Sequence, residues 1–359
     1  MGVLGRRVCV GLDLGSHRLR AMQMERAGTS WKVLRHATAL TPPECIKDGV
    51  VTDPKALGEA IKTMLKDARI PATSACIAAA GGAVFVRPVA FPKMPDAALR
   101  KSIRFEASRY VPGSVDDSYV ECEILGPLAN DQMNVLMVAA PRDIVESRIA
   151  ACEEAGLDVE VVDVEVFAAY RALLETDVEF DPTTSTVGIV EIGAQSSTVS
   201  VVHEGVFAMH RSIPHGGRLL TEVLAQSFGL PLEEAEEGKS TLDVSVLVGG
   251  PQPPEDPPMR ILQPHLEDLV REIRRSVNYF QSQQPEGQAN RQVQKLYLSG
   301  GGAKLKGLDL YLDHRLGIPV MEVGLFDNPR FVGGSAEEGR GVDLGVAAGL
   351  ALRAHAKAA

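Results

Sequence analysis

No apolar run in these 359 residues approaches the ~20 that a membrane-spanning helix needs. The opening MGVLGRRVCVGLDL is not a secretory signal either, because its apolar part already contains Asp13. Met1-Gly2 begins like an acylation site, but Arg6 stands where the myristoylation pattern wants Ser or Thr. We therefore expect a cytoplasmic protein without direct membrane insertion. Cysteine is sparse and unpatterned: Cys9, Cys45, Cys76, Cys122 and Cys152 are odd in number and form no CxxC, which reads as reduced thiols, not disulfides or zinc ligands. The eight histidines form no metal pattern. A basic excess is also missing. The net charge is −10, and affinity for nucleic acid rests on neutralising phosphates, so no nucleic-acid partner is expected.

Several familiar sites are absent. GKS at Gly238–Ser240 is not a P-loop, since Glu233 occupies the required first glycine and the run follows a helical pattern instead of a strand. SGGGA at Ser299–Ala303 is not the dinucleotide fingerprint, because Leu305 stands where the third glycine belongs. No Ser/His/Asp arrangement stands out, and His17, His203, His210 and His215 offer no catalytic pair.

What is present is globular: 45% hydrophobic and 23% charged residues, with length for roughly two domains. Two stretches repeat one pattern, VGLDLGSHRLRAM (Val10–Met22) and GIVEIGAQSSTVSVV (Gly188–Val202). Each is an apolar strand ending in an acid, a glycine turn and a second strand. Asp13 and Glu191, like Gly15 and Gly193, lie 178 residues apart. Glycine lets a backbone approach an anion closely, and successive N–H groups in such a turn form an anion-binding concavity. Mg²⁺ prefers carboxylates and phosphate oxygens. Asp13 and Glu191 are thus candidate metal ligands; Gly15, Ser16, Gly193 and Ala194 are candidate phosphate donors, and Arg20 is a cation within reach of phosphate. Either turn alone is compatible with an ordinary buried hairpin. Two in register point to a duplicated domain holding phosphate and metal between its halves.

Along the chain, three strands are expected at 7–14, 18–26 and 31–39, then a helix from Asp53-Pro54 to about Arg69. Strands follow at Ser74–Gly82 and in VFVRPVAF. The segment 95–160 reads as helix, strand, strand, helix and strand, with Pro112-Gly113 ending its first helix. Strands at 186–192, 196–204 and 206–213 mirror the opening three. VGGPQPPEDPP and QPEGQANRQ read as loops, and Leu266–Gln281 as a long amphipathic helix. SGGGA follows a strand and opens a helix, a context that favours phosphate or nucleotide contact. Gly216-Gly217 reads either as a nucleotide contact or as a helix start. Glu236 and Lys239 share a helix face, as a ribose or adenine contact or a surface ion pair. Asp163 and Glu165, where a strand meets a helix, are the best candidates for a hydrolytic base.

This order of parts resembles the actin, heat-shock chaperone and sugar-kinase superfold. Within it, the chain resembles the actin-like type IV pilus assembly proteins of the PilM family, relatives of the division protein FtsA. The resemblance covers nearly the whole chain. Its most specific stretches are Ile103–Pro112, Val135–Leu173, AEEGKS (Ala235–Ser240), EIRRSVNYF (Glu272–Phe280) and GLALR (Gly349–Arg353). It implies an α/β actin-like ATPase fold of two duplicated, ribonuclease H-like lobes with an inserted FtsA-type subdomain. Subdomain 1A would take 1–94 and 161–185 with 341–355, the inserted 1C 95–160, 2A 186–215 with 291–340, and 2B 216–290. The resemblance implies ATP and Mg²⁺ as cofactors. Asp13, Gly15, Ser16 and Arg20 would meet phosphate and metal, Gly193 and Ala194 would form the second phosphate loop, and His17 is a further ATP-binding candidate. Glu236 and Lys239 would meet ribose or base, and Gly300, Gly301 and Gly302 the adenosine side, with Gly216 and Gly217 as further ATP-binding candidates.

The implied partners are the short cytoplasmic N-terminal tail of a PilN-like inner-membrane protein, held in a groove involving the insertion, and the pilus assembly ATPases. Self-association into a ring is part of the same picture, at the inner face of the membrane. Two positions depart from the family: Glu191 stands where Asp is usual, and Arg20 where Lys is usual. The added methylene and the guanidinium fork favour holding a nucleotide over splitting it. Other readings are a small-molecule kinase of the same superfold, for which no substrate-facing acid set is found, and an FtsA-like division tether. The second is disfavoured because AHAKAA closely follows the last core helix.

Overall fold

A computed structural model describes residues 8–111, 114–249, 255–283, 291–333 and 340–356. Met1-Gly2, Arg6, Pro112-Gly113, 250–254 of the Pro-rich loop, 284–290 of the second loop and Lys357–Ala359 lie outside the described residues. The chain divides into two units, residues 1–178 with 324–359, and residues 179–323.

The first unit begins with β1 (Cys9–Leu14), β2 (Arg18–Ala27) and β3 (Ser30–Leu40), an antiparallel meander joined by short turns. A small hairpin, β4 (Ile46–Lys47) and β5 (Val50–Val51), leads into α1 (Pro54–Asp67). Asp53 caps α1 by accepting the Ala56 N–H at 3.0 Å, and Pro54 occupies the first turn, where no N–H partner is lost. Then come β6 (Ser74–Ala79), β7 (Phe85–Pro92), α2 (Asp96–Ala107), β8 (Ser118–Leu128), β9 (Gln132–Pro141), α3 (Arg142–Glu154), β10 (Asp158–Val164) and α4 (Glu165–Leu173). The main sheet runs β10-β6-β1-β2-β3, with β6 and β10 parallel to β1.

Strand β1 is apolar on both faces because both are covered. One side packs Val10, Leu12, Leu57, Ile61 and Cys152 with α1 and α3. The other packs Met22, Ala172, Ala347 and Ala351 against α4 and the C-terminal helix. That helix lies so close that a Cβ on Gly11 would meet Ala347 O at 2.2 Å.

Strands β7, β9 and β8 form a separate antiparallel sheet, packed on α2 through Phe91, Leu99, Ile103 and Met137. The inserted sheet therefore starts at Phe85, not at the expected 95, because β7 pairs along its length with β9. The expected insertion also loses its last two elements: α3 packs on α1, and β10 joins the main sheet beside β6.

The second unit repeats the arrangement. Here β11 (Thr186–Ile192), β12 (Ser197–His203) and β13 (Val206–Ile213) form the meander. Helices α5 (Gly217–Phe228), α6 (Leu232–Thr241) and α7 (Pro257–Ser282) follow, then β14 (Lys295–Ser299), α8 (Leu308–Leu316) and β15 (Val320–Glu322). The sheet order β13-β12-β11-β14-β15 matches β3-β2-β1-β6-β10, with β14 and β15 parallel to β11. Residue pairs coincide too: Asp13 faces Arg20 across the first hairpin, and Glu191 faces Thr198 across the second.

Three boundaries differ from the sequence reading. Helix α7 starts nine residues before Leu266, since Pro257 and Pro258 fit a first helical turn and Pro264 is accommodated further in. The glycine triplet opens a single 3-10 turn, Gly301–Lys304, before α8. Finally, β16 (Phe331–Val332) pairs parallel with β3, so 324–333 belongs to the first unit together with α9 (Gly345–Arg353).

Candidate functional site

In the first unit, the acid at the end of β1 lies in a buried charge cluster. Arg20 Nη1 donates to Asp13 Oδ2 at 3.2 Å, and its Nε donates to Asp343 Oδ2 at 3.0 Å. All three residues are under a tenth exposed. Two more ionisable groups complete the cluster. Arg148, from α3, is 3% exposed and donates to the carbonyls of Gly49, Leu14 and Ala78 at 3.0, 3.2 and 3.3 Å. Burial pulls its guanidinium below the ordinary range, opposed by the charges of Glu165 and Asp13. Glu165, the first residue of α4, is pushed up to about 7 by burial and by the charge of Asp13, with Arg148 and Arg20 acting the other way. Burial likewise raises Asp13, against the pull of Arg20.

The turn after Asp13 is tight. A Cβ on Gly15 would come within 2.6 Å of Arg18 O, so a glycine is needed there. The Gly15 carbonyl accepts from Thr41 Oγ1 at 2.6 Å. Ser16 is half-buried and His17 exposed at the turn.

In the second unit, Gly193 makes the same close approach, 2.7 Å from a built Cβ to Ser196 O. Its N–H donates to that oxygen at 3.0 Å, so Gly193 uses its donor within the turn and Ala194 carries the next one. The first N–H groups of α5 hold this turn from behind: Gly217 N donates to Gly193 O and Arg218 N to Ala194 O, both at 2.9 Å. Gly216 has no room for a side chain, since a Cβ would meet Ala194 O at 2.2 Å. Beside it, the buried Lys239 ammonium donates to Gly217 O at 3.0 Å, Thr221 Oγ1 at 2.8 Å and Glu236 Oε2 at 2.7 Å. Gly300 and Gly302 press on the end of β11, where built Cβ atoms would meet Ile192 O at 2.6 Å and Ile192 Cγ2 at 2.3 Å. The result is a glycine-lined surface from three segments (193–194, 216–217 and 300–302) with one buried cation. A small cavity next to it is lined by Ile192, His215, Gly216, Gly217, His265 and Gly302.

A family model described as type IV pilus assembly protein PilM matches residues 11–355. The chain belongs to that family. A solved PilM–PilN type IV pilus biogenesis complex is similar over 97% of this chain and 98% of that one, at 29% identity and a TM-score of 0.84. The ethanolamine utilization protein EutJ of Carboxydothermus hydrogenoformans (19% identity, TM-score 0.57, 98% and 91% covered) has the same fold. So does MreB 5 of Spiroplasma citri bound to AMPPNP (12%, TM-score 0.51, 96% and 95%). The fold is thus the actin-like one. Cell division protein FtsA of Escherichia coli K12 is 23% identical over 221 residues, 55% of this chain and 51% of FtsA. The chain spans about half the length of the curated relatives it matches.

Each unit brings together most of its expected residues. Asp13, Gly15, Arg20 and Glu165 gather in the first. Gly193, Ala194, Gly216, Gly217, Glu236, Lys239 and Gly302 gather in the second, with Gly301 exposed at the edge. Of the two acids expected to bind metal, Asp13 sits in the first unit and Glu191 in the second. Among the described residues, no cluster of three or more Asp, Glu, His or Cys could hold an ion. Magnesium brought by a nucleotide, with oxygens from phosphate and water, fits such a sparse set of carboxylates.

Asp163, the other candidate base, pairs its carboxylate with Arg171 at 3.0 Å, and Arg171 also holds Gly349 O, tying β10 to α9. Thr41, Arg148 and Asp343 join the first turn without having been expected there from the sequence. Two of these carried a signal. Arg148 interrupts the apolar Ile144, Val145, Ala151 and Cys152 face of α3, and Asp343 is a lone acid ahead of an Ala-rich helix.

Proposed function

We propose that this chain is an ATP-binding, actin-like scaffold of the type IV pilus or a related secretion machine. In this reading it holds the cytoplasmic N-terminal tail of a PilN-like inner-membrane protein and couples it to the assembly ATPases. The observation that carries ATP binding is the pair of matched glycine turns. Both follow an acid, and both have the same carbonyl, Gly15 or Gly193, held from behind. Asp13, Ser16, His17 and Arg20 would serve phosphate and Mg²⁺ from the first unit, with Glu191 as a further acid on the second. Gly193, Ala194, Gly216, Gly217, Glu236, Lys239 and Gly300 to Gly302 would receive phosphate, ribose and base on the second unit. Glu165 is the group best placed to orient an attacking water.

The partner reading draws on likeness to a chain solved as a PilM–PilN complex. No described helix is long and apolar enough to cross a membrane, which agrees with attachment to the inner membrane through such a partner. Ring formation by self-association and the four-subdomain division belong to the same proposal.

The test is calorimetric titration with Mg-ATP, followed by capture on an immobilised PilN-like tail with and without Mg-ATP. Saturable ATP binding with slow turnover, and tail capture that responds to ATP, are expected. No ATP binding, or fast steady-state turnover, would overturn the scaffold reading; phosphate transfer to a sugar in a panel assay would establish the kinase instead.

A further inference from the structure

The two glycine turns are built alike but held differently. In the second, the Gly193 carbonyl accepts a backbone N–H from the start of α5. In the first, the equivalent carbonyl, Gly15, accepts the hydroxyl of one side chain, Thr41, at 2.6 Å. Thr41 follows β3 and is 8% exposed. Its own N–H donates to His17 O at 3.0 Å. One residue therefore grips the carbonyls on both sides of Ser16.

A trans peptide is planar, so its C=O and the next N–H point in opposite directions. Holding Gly15 O toward Thr41 turns the Ser16 N–H away from it. Holding Gly193 O toward α5 does the same for the Ala194 N–H. Ser16 and Ala194 are matched positions in the two turns. We infer that Thr41 is a positioning residue for nucleotide phosphate: its hydroxyl sets the direction of the Ser16 N–H, doing for the first turn what the start of α5 does for the second. Arg148 adds to this from the other side by holding Leu14 O, the carbonyl before Gly15, at 3.2 Å. The inference rests on the proposed ATP binding and adds a residue to it.

The test compares wild type, Thr41→Val, Thr41→Ala and Thr41→Ser by calorimetric titration with Mg-ATP and with adenosine, alongside thermal melts. Val keeps the shape and removes the hydroxyl; Ala serves if the Val variant fails to fold. A freed carbonyl lets the turn rotate, so the Kd for Mg-ATP should rise about tenfold in the Val and Ala variants. Adenosine, which has no phosphate, should bind all four proteins alike, and Ser should restore wild-type affinity for Mg-ATP. Unchanged Mg-ATP binding without the hydroxyl, an equal loss for adenosine, or failure of Ser to rescue overturns the assignment to Thr41. A wild type that binds no Mg-ATP overturns the function itself, and that result is read before any variant is compared.

Discussion

Replacing Glu165 by Gln should make the protein more stable, by a margin that grows as the pH rises from 4.5 and levels off above about 7. The carboxyl lies at the start of α4, displaced from 4.5 to about 7 by burial and by the charge of Asp13. An acid with a raised folded value is held more comfortably in its protonated form. Its favourable contribution is complete below 4.5, declines through the interval, and is gone above about 7. The full displacement corresponds to about 3 kcal/mol. Glu165 is only partly buried by accessible surface, so water screens it and roughly half of that is expected. Gln mimics the protonated acid in shape and charge. Glu165→Gln should therefore match wild type near pH 4.5 and exceed it by about 1–2 kcal/mol at pH 8.5, or about 2–4 °C in Tm for each kcal/mol. Melts followed by circular dichroism across that range measure this. A variant that gains nothing at pH 8.5, or gains as much at pH 4.5, would refute the account of the charge cluster.

Two further outcomes follow from the same geometry. Gly216→Ala would drive a methyl into the Ala194 carbonyl, 2.2 Å away, so the second turn must shift. It should cost about 1–3 kcal/mol in stability and raise the Kd for Mg-ATP about tenfold, read by melting and titration. Arg20→Met would leave Asp13 and Asp343 buried without their shared cation, a loss of about 3–5 kcal/mol at pH 8 in denaturant unfolding. That loss should shrink as the pH falls and the stranded carboxyls protonate; a loss independent of pH would indicate packing instead of charge.

The sequence made the local parts legible and left the long-range ones hidden. The strands around Asp13 and Glu191 stand out because apolar runs end in an acid and a glycine turn, and α1 because Asp53-Pro54 is a clear start signal. The actin-like family was legible from longer stretches such as Val135–Leu173. Pairing partners were not. That β7 joins β9, and β16 joins β3, depends on which edges are free once the core has formed. Arg148 and Asp343 reach Leu14 and Arg20 from far along the chain, and no local spacing encodes that. Thr41 was hidden for a different reason: a threonine after a strand is ordinary, and only the folded turn shows what its hydroxyl holds.

Duplication did not preserve the chemistry of the two turns equally. The pairing that places Arg20 opposite Asp13 places Thr198 opposite Glu191. The first acid therefore faces a guanidinium that a second carboxylate, Asp343, shares, with a buried arginine and a protonatable glutamate nearby. The second acid faces a hydroxyl-bearing residue across its hairpin. The first turn is thus an electrostatic device and the second a backbone one, held by the start of α5. A phosphate needs donors from either, but activating a water needs a group that exchanges protons near neutrality. Glu165 is the member of the first cluster in that range. On the proposed function, any hydrolysis would depend on the charge cluster of the first unit, and the glycines and Lys239 of the second would receive the nucleotide.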